Sequence, residues 1–157
     1  MGTQAKKMGF FVPINEALTE ITNMEVMTRY WKKYQTLSNL TIENYKNPAY
    51  LGEIIVTDGL IKMVANKENR PYREILLELI RGQFLGEMQT LRVFKNVLGT
   101  EGMKILAQWN HISDDPVKIA KALGLQDTVT KLCDYRDYKK IEILERYRFQ
   151  VGIQKNT

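Results

Sequence analysis

The sequence predicts a mainly α-helical fold in one domain, and three observations predict it. Apolar residues recur at intervals of three and four through most of the chain, the spacing that gathers them on one face of a helix. Gly, Pro and Asn fall where those runs stop and restart. The 157 residues are 44% hydrophobic and 26% charged, which is ordinary globular composition. A chain of this size hides about 70% of its unfolded surface, enough for a real core. One domain over 1–157 is expected, with a helical core and oligomerisation part over 14–98. A module of shorter helices follows over 100–153.

The first dozen residues read as an arm, in which Phe10, Phe11, Val12 and Ile14 would dock as an extended strand or staple. From Ile14 the positions Leu18, Ile21, Met24, Met27 and Trp31 keep helical spacing. Asn47-Pro48 restarts the chain, Asn as a cap and Pro in a first turn. Leu51, Ile54, Ile55, Ile61 and Val64 mark the next helix, with Gly59 as its weak point, and the polar run 66–71 ends it. Leu76, Leu79, Ile80, Phe84, Met88, Leu91, Phe94 and Leu98 keep one stripe, which predicts a single long helix stopped by Gly99. Gly82 and Gly86 lie on one face of it and predict close approach of a neighbouring helix, since Gly has no Cβ to hold a partner away.

After residue 100 the elements shorten. Thr100 is placed to cap a helix carrying Met103, Ile105, Leu106 and Trp109. Asp115 is placed to cap the next, with Pro116 at its first position and Gly124 beyond its end. Thr128 then opens a third helix.

The composition excludes most chemistry. A single Cys133 excludes a disulfide framework and thiolate-rich zinc sites, and a single His111 excludes His-rich metal sites and most acid–base triads. No phosphate-binding glycine loop, dinucleotide glycine cluster, nucleophile elbow or zinc-protease helix motif is present. Glu16 with Glu20 and Glu74 with Glu78 are carboxylate pairs on helix faces, but they lack the helix His residues that a bridged metal pair uses. His111 is read as structural and Cys133 as a small buried apolar residue. No catalytic residue, metal ligand or cofactor is expected. The apolar stretch before Pro13 is too short for a secretory signal, and no run is long enough to span a bilayer. With one unpaired Cys, a cytoplasmic protein without a membrane partner is expected.

Residues 119–132 carry a mechanism. Ile119-Ala120-Lys121-Ala122-Leu123-Gly124-Leu125 followed by Thr128-Val129-Thr130-Lys131-Leu132 resembles a helix-turn-helix. Ala120 is small where two helices would cross, Gly124 suits a left-handed turn, and Val129 and Leu132 would seat the second helix. The spacing between Gly124 and the first anchor is about one residue shorter than the usual pattern, which leaves the register open. On this resemblance Gln126, Thr128, Thr130 and Lys131 are the base-reading candidates, with Arg136, Lys139 and Lys140 on phosphates. Apolar and polar residues alternate over 139–153, which fits either the β-hairpin wing of a winged helix or a continued helix. A second nucleic-acid candidate is Arg29, Trp31, Lys32 and Lys33, cations interleaved with an aromatic ring. On an amphipathic helix the same residues also read as a core aromatic beside a solvated cationic face.

Lys plus Arg number 23 against 18 Asp plus Glu, a formal charge of +5 that biases the chain mildly toward anionic partners. The expected function is a small, non-catalytic DNA-binding protein, a transcriptional regulator or a plasmid- or phage-type accessory factor. DNA is preferred over RNA, and a homodimer is expected because one reading helix covers only a half-site. The alternative is a non-catalytic helical subunit of a larger assembly that coats nucleic acid without sequence preference or binds protein.

Overall fold

The computed structural model describes residues 11–34 and 50–136, and these are mainly helical with no strand among them. In chain order they form α1 (Val12–Tyr34), α2 (Leu51–Glu68), α3 (Tyr72–Leu85), a 3-10 segment (Met88–Phe94), α4 (Lys95–Gln108), α5 (Pro116–Ala122) and α6 (residues 126–136). The restart at Asn47-Pro48 and the wing-or-helix segment 139–153 lie outside the described residues.

The centre of the fold is α2. Val56, Leu60, Ile61 and Val64 are fully buried, and α1, α3, the 3-10 segment, α4 and α5 all pack on this helix. A helix covered on most of its circumference is apolar on most of it, which is why α2 shows no sharp polar face. Ile14, Ala17 and Leu18 of α1, Ile75 and Leu79 of α3, Leu91 and Phe94 of the 3-10 segment, and Leu106 and Trp109 complete the core. Phe11 and Val12 are not an extended arm. Val12 already begins α1, and Phe11 (φ 58°) packs on the core while its N–H donates to Ala107 O.

The single long helix read from Leu76 to Leu98 is two elements. At Gly86 (φ 69°) the backbone turns left-handed, Gly86 N–H donates to Gln83 O, and Glu87 N–H donates to Gly82 O at 2.7 Å. That pair of bonds satisfies the terminal carbonyls of α3 and ends it. The chain then folds back so that Thr90 lies on Gly82, where an added Cβ would come within 2.2 Å of the Thr90 hydroxyl. Gly82 therefore does serve close approach, but of the following 3-10 segment. Gly86 is a helix stop with nothing within 4 Å of an added Cβ. The break splits the stripe: Leu79, Leu91 and Phe94 face the core, whereas Phe84 and Met88 face out. Gly99 (φ 68°), read as the stop of that long helix, lies instead within α4 and kinks it.

The glycine read as the weak point of α2 is instead a seat. A Cβ at Gly59 would lie 2.0 Å from Thr128 Oγ1, and a Cβ at Gly52 would lie 2.7 Å from Pro116 Cγ. The two glycines stand about two helical turns apart on one face, so the first residue of α5 and the first turn of α6 both rest against the bare backbone of α2.

Leu79→Ala should cost about 2–5 kcal/mol in denaturant unfolding, the range for emptying a fully buried leucine site. Gly59→Ala poses a sharper test. It gains about 1 kcal/mol of helix propensity but drives a methyl into Thr128, and overpacking of this kind costs about 1–3 kcal/mol. The substitution should destabilise the natural chain and become neutral or stabilising when Thr128→Ala removes the obstructing hydroxyl. Equal effects in the two backgrounds would show that the helices are not in contact there.

Candidate nucleic-acid interface

The candidate interface is built from α5, a tight turn and α6. Asp115 Oδ1 accepts from Val117 N–H at 3.0 Å, and Pro116 occupies the first helical position, so α5 starts as its sequence predicts. It ends at Gly124 (φ 74°): Gly124 N–H donates to Lys121 O at 3.1 Å and Leu125 N–H donates to Ala120 O at 2.9 Å. The left-handed residue must be glycine or pay steric strain, which is the reason for a Gly at this position. Leu125, buried beyond the turn, sets the start of the second helix, and Val129 N–H donates back to Leu125 O. Leu125 is thus a further buried anchor between Gly124 and Val129.

The seating of α6 decides which side chains are free. Val129 and Leu132 are buried as expected. Thr128 is buried with them, only 4% exposed and pressed on Gly59, so it cannot reach a base edge and leaves the base-reading set. Gln126 and Thr130 stand exposed one turn apart, Thr130 Oγ1 donating to Gln126 O. Cys133 extends the same exposed face, contrary to its reading as a buried apolar residue. Its position, i+7 from Gln126, is a signal that helical spacing could have supplied.

The charged candidates are largely engaged inside the molecule. Lys131 Nζ lies 3.8 Å from Asp58 Oδ2, the oxygen that Lys62 approaches at 2.8 Å, while Tyr72 donates to Asp58 Oδ1 at 2.7 Å. The hydrogen bond to Asp58 holds the Lys62 ammonium above its usual pKa, and crowding by Lys62 holds Lys131 below its own. Burial, reinforced by Asp58, pushes the Tyr72 hydroxyl above the usual tyrosine range. Arg136 pairs with Asp115 and so ties the described end of α6 to the start of α5. Lys139 and Lys140 lie outside the described residues. The exposed cations beside the turn are Lys118 and Lys121 of α5, which the sequence did not single out. Asp127 and Asp134 are exposed on α6 itself.

In the second candidate cluster, Arg29 pairs with Glu25 at 2.9 Å, and Glu25 also receives Arg73 at 3.2 Å. The bond from Arg73 is the main cause of the lowered Glu25 pKa, with Arg29 adding to it. Trp31, Lys32 and Lys33 are on α1, but their side chains lie outside the described residues. Lys62, Lys67, Arg70 and Arg73, a further set of cations on α2, α3 and the link between them, are each ion-paired or hydrogen-bonded. Lys67 donates to Asn96 O, and Arg70 is held by Glu68, Glu74 and Glu78. His111 packs edge-on against Tyr50, with ring centroids 5.8 Å apart.

Among the described residues no group of three or more His, Cys, Asp or Glu side chains is placed to hold a metal ion. No described helix is long and apolar enough to cross a membrane. No family model, curated protein or solved structure matches the chain.

Asp115 gives a stability prediction. Burial acts to raise its pKa but is outweighed by the Val117 N–H and by Arg136, so the carboxyl titrates below its ordinary 3.8. A carboxylate with a depressed folded pKa contributes stability that is present above the unfolded value and lost as pH falls through the folded one. Asp115→Ala should therefore cost about 1 kcal/mol at neutral pH, the usual value of an N-cap. The gap between the two proteins should close as pH drops below the carboxylate range. A gap that persists in acid would assign the loss to packing.

Proposed function

We propose that this chain is a non-catalytic DNA-binding protein that reads duplex through α6, in the manner of a small transcriptional regulator or a plasmid- or phage-type accessory factor. The observation that carries the reading is the pairing of α5 and α6 across Gly124, with one face of α6 seated on α2 and the opposite face, Gln126–Thr130–Cys133, free. A reading helix needs that division: one side anchored for rigidity, the other offering donors and acceptors to base edges. Gln126, at the start of α6, has the amide that pairs in bidentate fashion with adenine, and Thr130 offers a hydroxyl and a methyl. Asp127 and Asp134 offset Lys131 on the same helix, so phosphate attraction is assigned to Lys118 and Lys121 of α5.

A second reading, a helical subunit that binds protein within a larger assembly, is favoured by one observation. Phe84, Leu85 and Met88 are 75%, 58% and 46% exposed, a concentration of apolar surface that a chain acting alone has no use for.

Retention of short duplexes from a mixed pool over a salt series separates the two. Selective retention supports the regulator, and retention that is uniform and salt-sensitive supports a coating subunit. No retention at low salt leaves the protein-binding subunit. On a selected site, Gln126→Ala or Thr130→Ala should cost about 1–3 kcal/mol and much less on random DNA. Lys121→Ala should weaken both alike and lower the salt slope by about one. If these changes leave binding intact while Arg29→Ala abolishes it, α1 and not α6 is the contact surface.

A further inference from the structure

The end of α3 displays apolar side chains that the fold does not use. Leu77, Phe84 and Leu85 recur on the outer side of the helix, and Met88 follows its stop. Beside them α1 and α3 enclose a groove of about 390 Å³ lined by Thr19, Thr22, Asn23, Gln83 and Phe84. Gln83 Nε2 fixes this edge by donating to Asn15 O at 2.8 Å and Thr19 Oγ1 at 2.7 Å. Val26, 57% exposed and one turn beyond Asn23, continues the apolar surface onto α1. The groove is small for a ligand pocket, typically about 300–1,000 Å³ and mostly apolar. Thr19, Thr22, Asn23 and Gln83 form its walls beside the Phe84 ring.

Charge identifies the occupant. Arg81 lies one turn before Leu85 on the exposed side of α3, and Glu87 follows the stop at Gly86; both are exposed. Neither forms an ion pair within the described residues; the same holds for the exposed Arg92, Lys95, Lys118 and Lys121, but Arg81 and Glu87 are the two that flank this apolar surface. A cation and an anion left unpaired on either side of one apolar centre make a self-complementary surface. A two-fold axis through Phe84 and Leu85 would set each Arg81 against the other chain's Glu87, twice, while the apolar centre faces its own copy.

We infer that a second copy of this chain docks on the Phe84–Leu85–Met88 surface, forming a closed two-fold dimer bounded by reciprocal Arg81–Glu87 pairs. The inference needs no nucleic acid and stands or falls apart from the DNA-binding reading. A dimer that retains no duplex would sink that reading and leave this one standing.

The test is sedimentation velocity of the full chain over a concentration series, without DNA, with thermal melting to confirm folding. The natural chain should reach a dimer and no further. Phe84→Lys should shift it to a monomer that still melts in one cooperative transition, since the side chain is exposed and a cation is tolerated at a helix C-terminus. Arg81→Glu and Glu87→Arg should each weaken association about tenfold or more, and the double exchange should restore it to within about threefold, because the opposite charges are then re-paired. A monomer at the highest soluble concentration would overturn the inference. So would a dimer indifferent to Phe84→Lys, a double exchange no better than the single ones, or a ladder of larger species.

Discussion

The closeness with which α5 and α6 approach the backbone of α2 governs the rest of the molecule. Gly52 and Gly59 leave a strip of α2 without side chains, and Pro116 and Thr128 occupy the space two Cβ atoms would fill. Because both contacts fall at helix starts, they fix the position and the rotation of the C-terminal pair together. Rotation is the consequential part. It turns Thr128, Val129 and Leu132 inward and leaves Gln126, Thr130 and Cys133 outward. The cost is borne by α2, where each glycine forgoes about 1 kcal/mol of helix propensity relative to alanine. Burial of apolar side chains around almost the whole helix offsets that loss.

Charge is distributed differently from what a formal +5 implies. Arg70 is surrounded by three glutamates, Arg73 and Arg29 share Glu25, and Lys62 and Lys131 converge on Asp58. Exposed pairs of this kind contribute little stability each, typically about 0–1 kcal/mol. Their effect here is to withdraw cations from any long-range basic field. Among the described residues, the exposed cations of α5 without an ion pair are Lys118 and Lys121, set against Asp127 and Asp134 of α6.

The apolar surface at the end of α3 has a cause in the local fold. Phe84 lies on the side of α3 opposite buried Ile75 and Leu79, and Met88 follows the stop at Gly86, so both face out. The stop at Gly86 brings Thr90 onto Gly82, while Phe84, Leu85 and Met88 stay exposed around it.

Much of the helical layout was legible in the sequence because its signals are local. The three-and-four spacing of α1 and α2, the cap at Asp115 with Pro116 behind it, and the left-handed stop at Gly124 each depend on residues within a turn or two. The candidate site was legible only in outline. Sequence marked the anchors Val129 and Leu132, and helical spacing carried the exposure of Cys133, yet it could not tell that Thr128 is buried or that Lys131 and Arg136 have acidic partners. Asp58 and Asp115 lie 73 and 21 positions away from them, and only the packed fold brings the groups together. The break at Gly86 escaped for a related reason. A glycine inside an apolar stripe is equally compatible with a close helix contact and a left-handed stop, and the docking of Thr90 on Gly82 decides between them. Sequence by itself determined the mainly helical class, the cap at Asp115 and the left-handed turn at Gly124, because each rests on local residues. Tertiary structure decided which face each helix shows to water, because that depends on contacts between residues far apart in the chain.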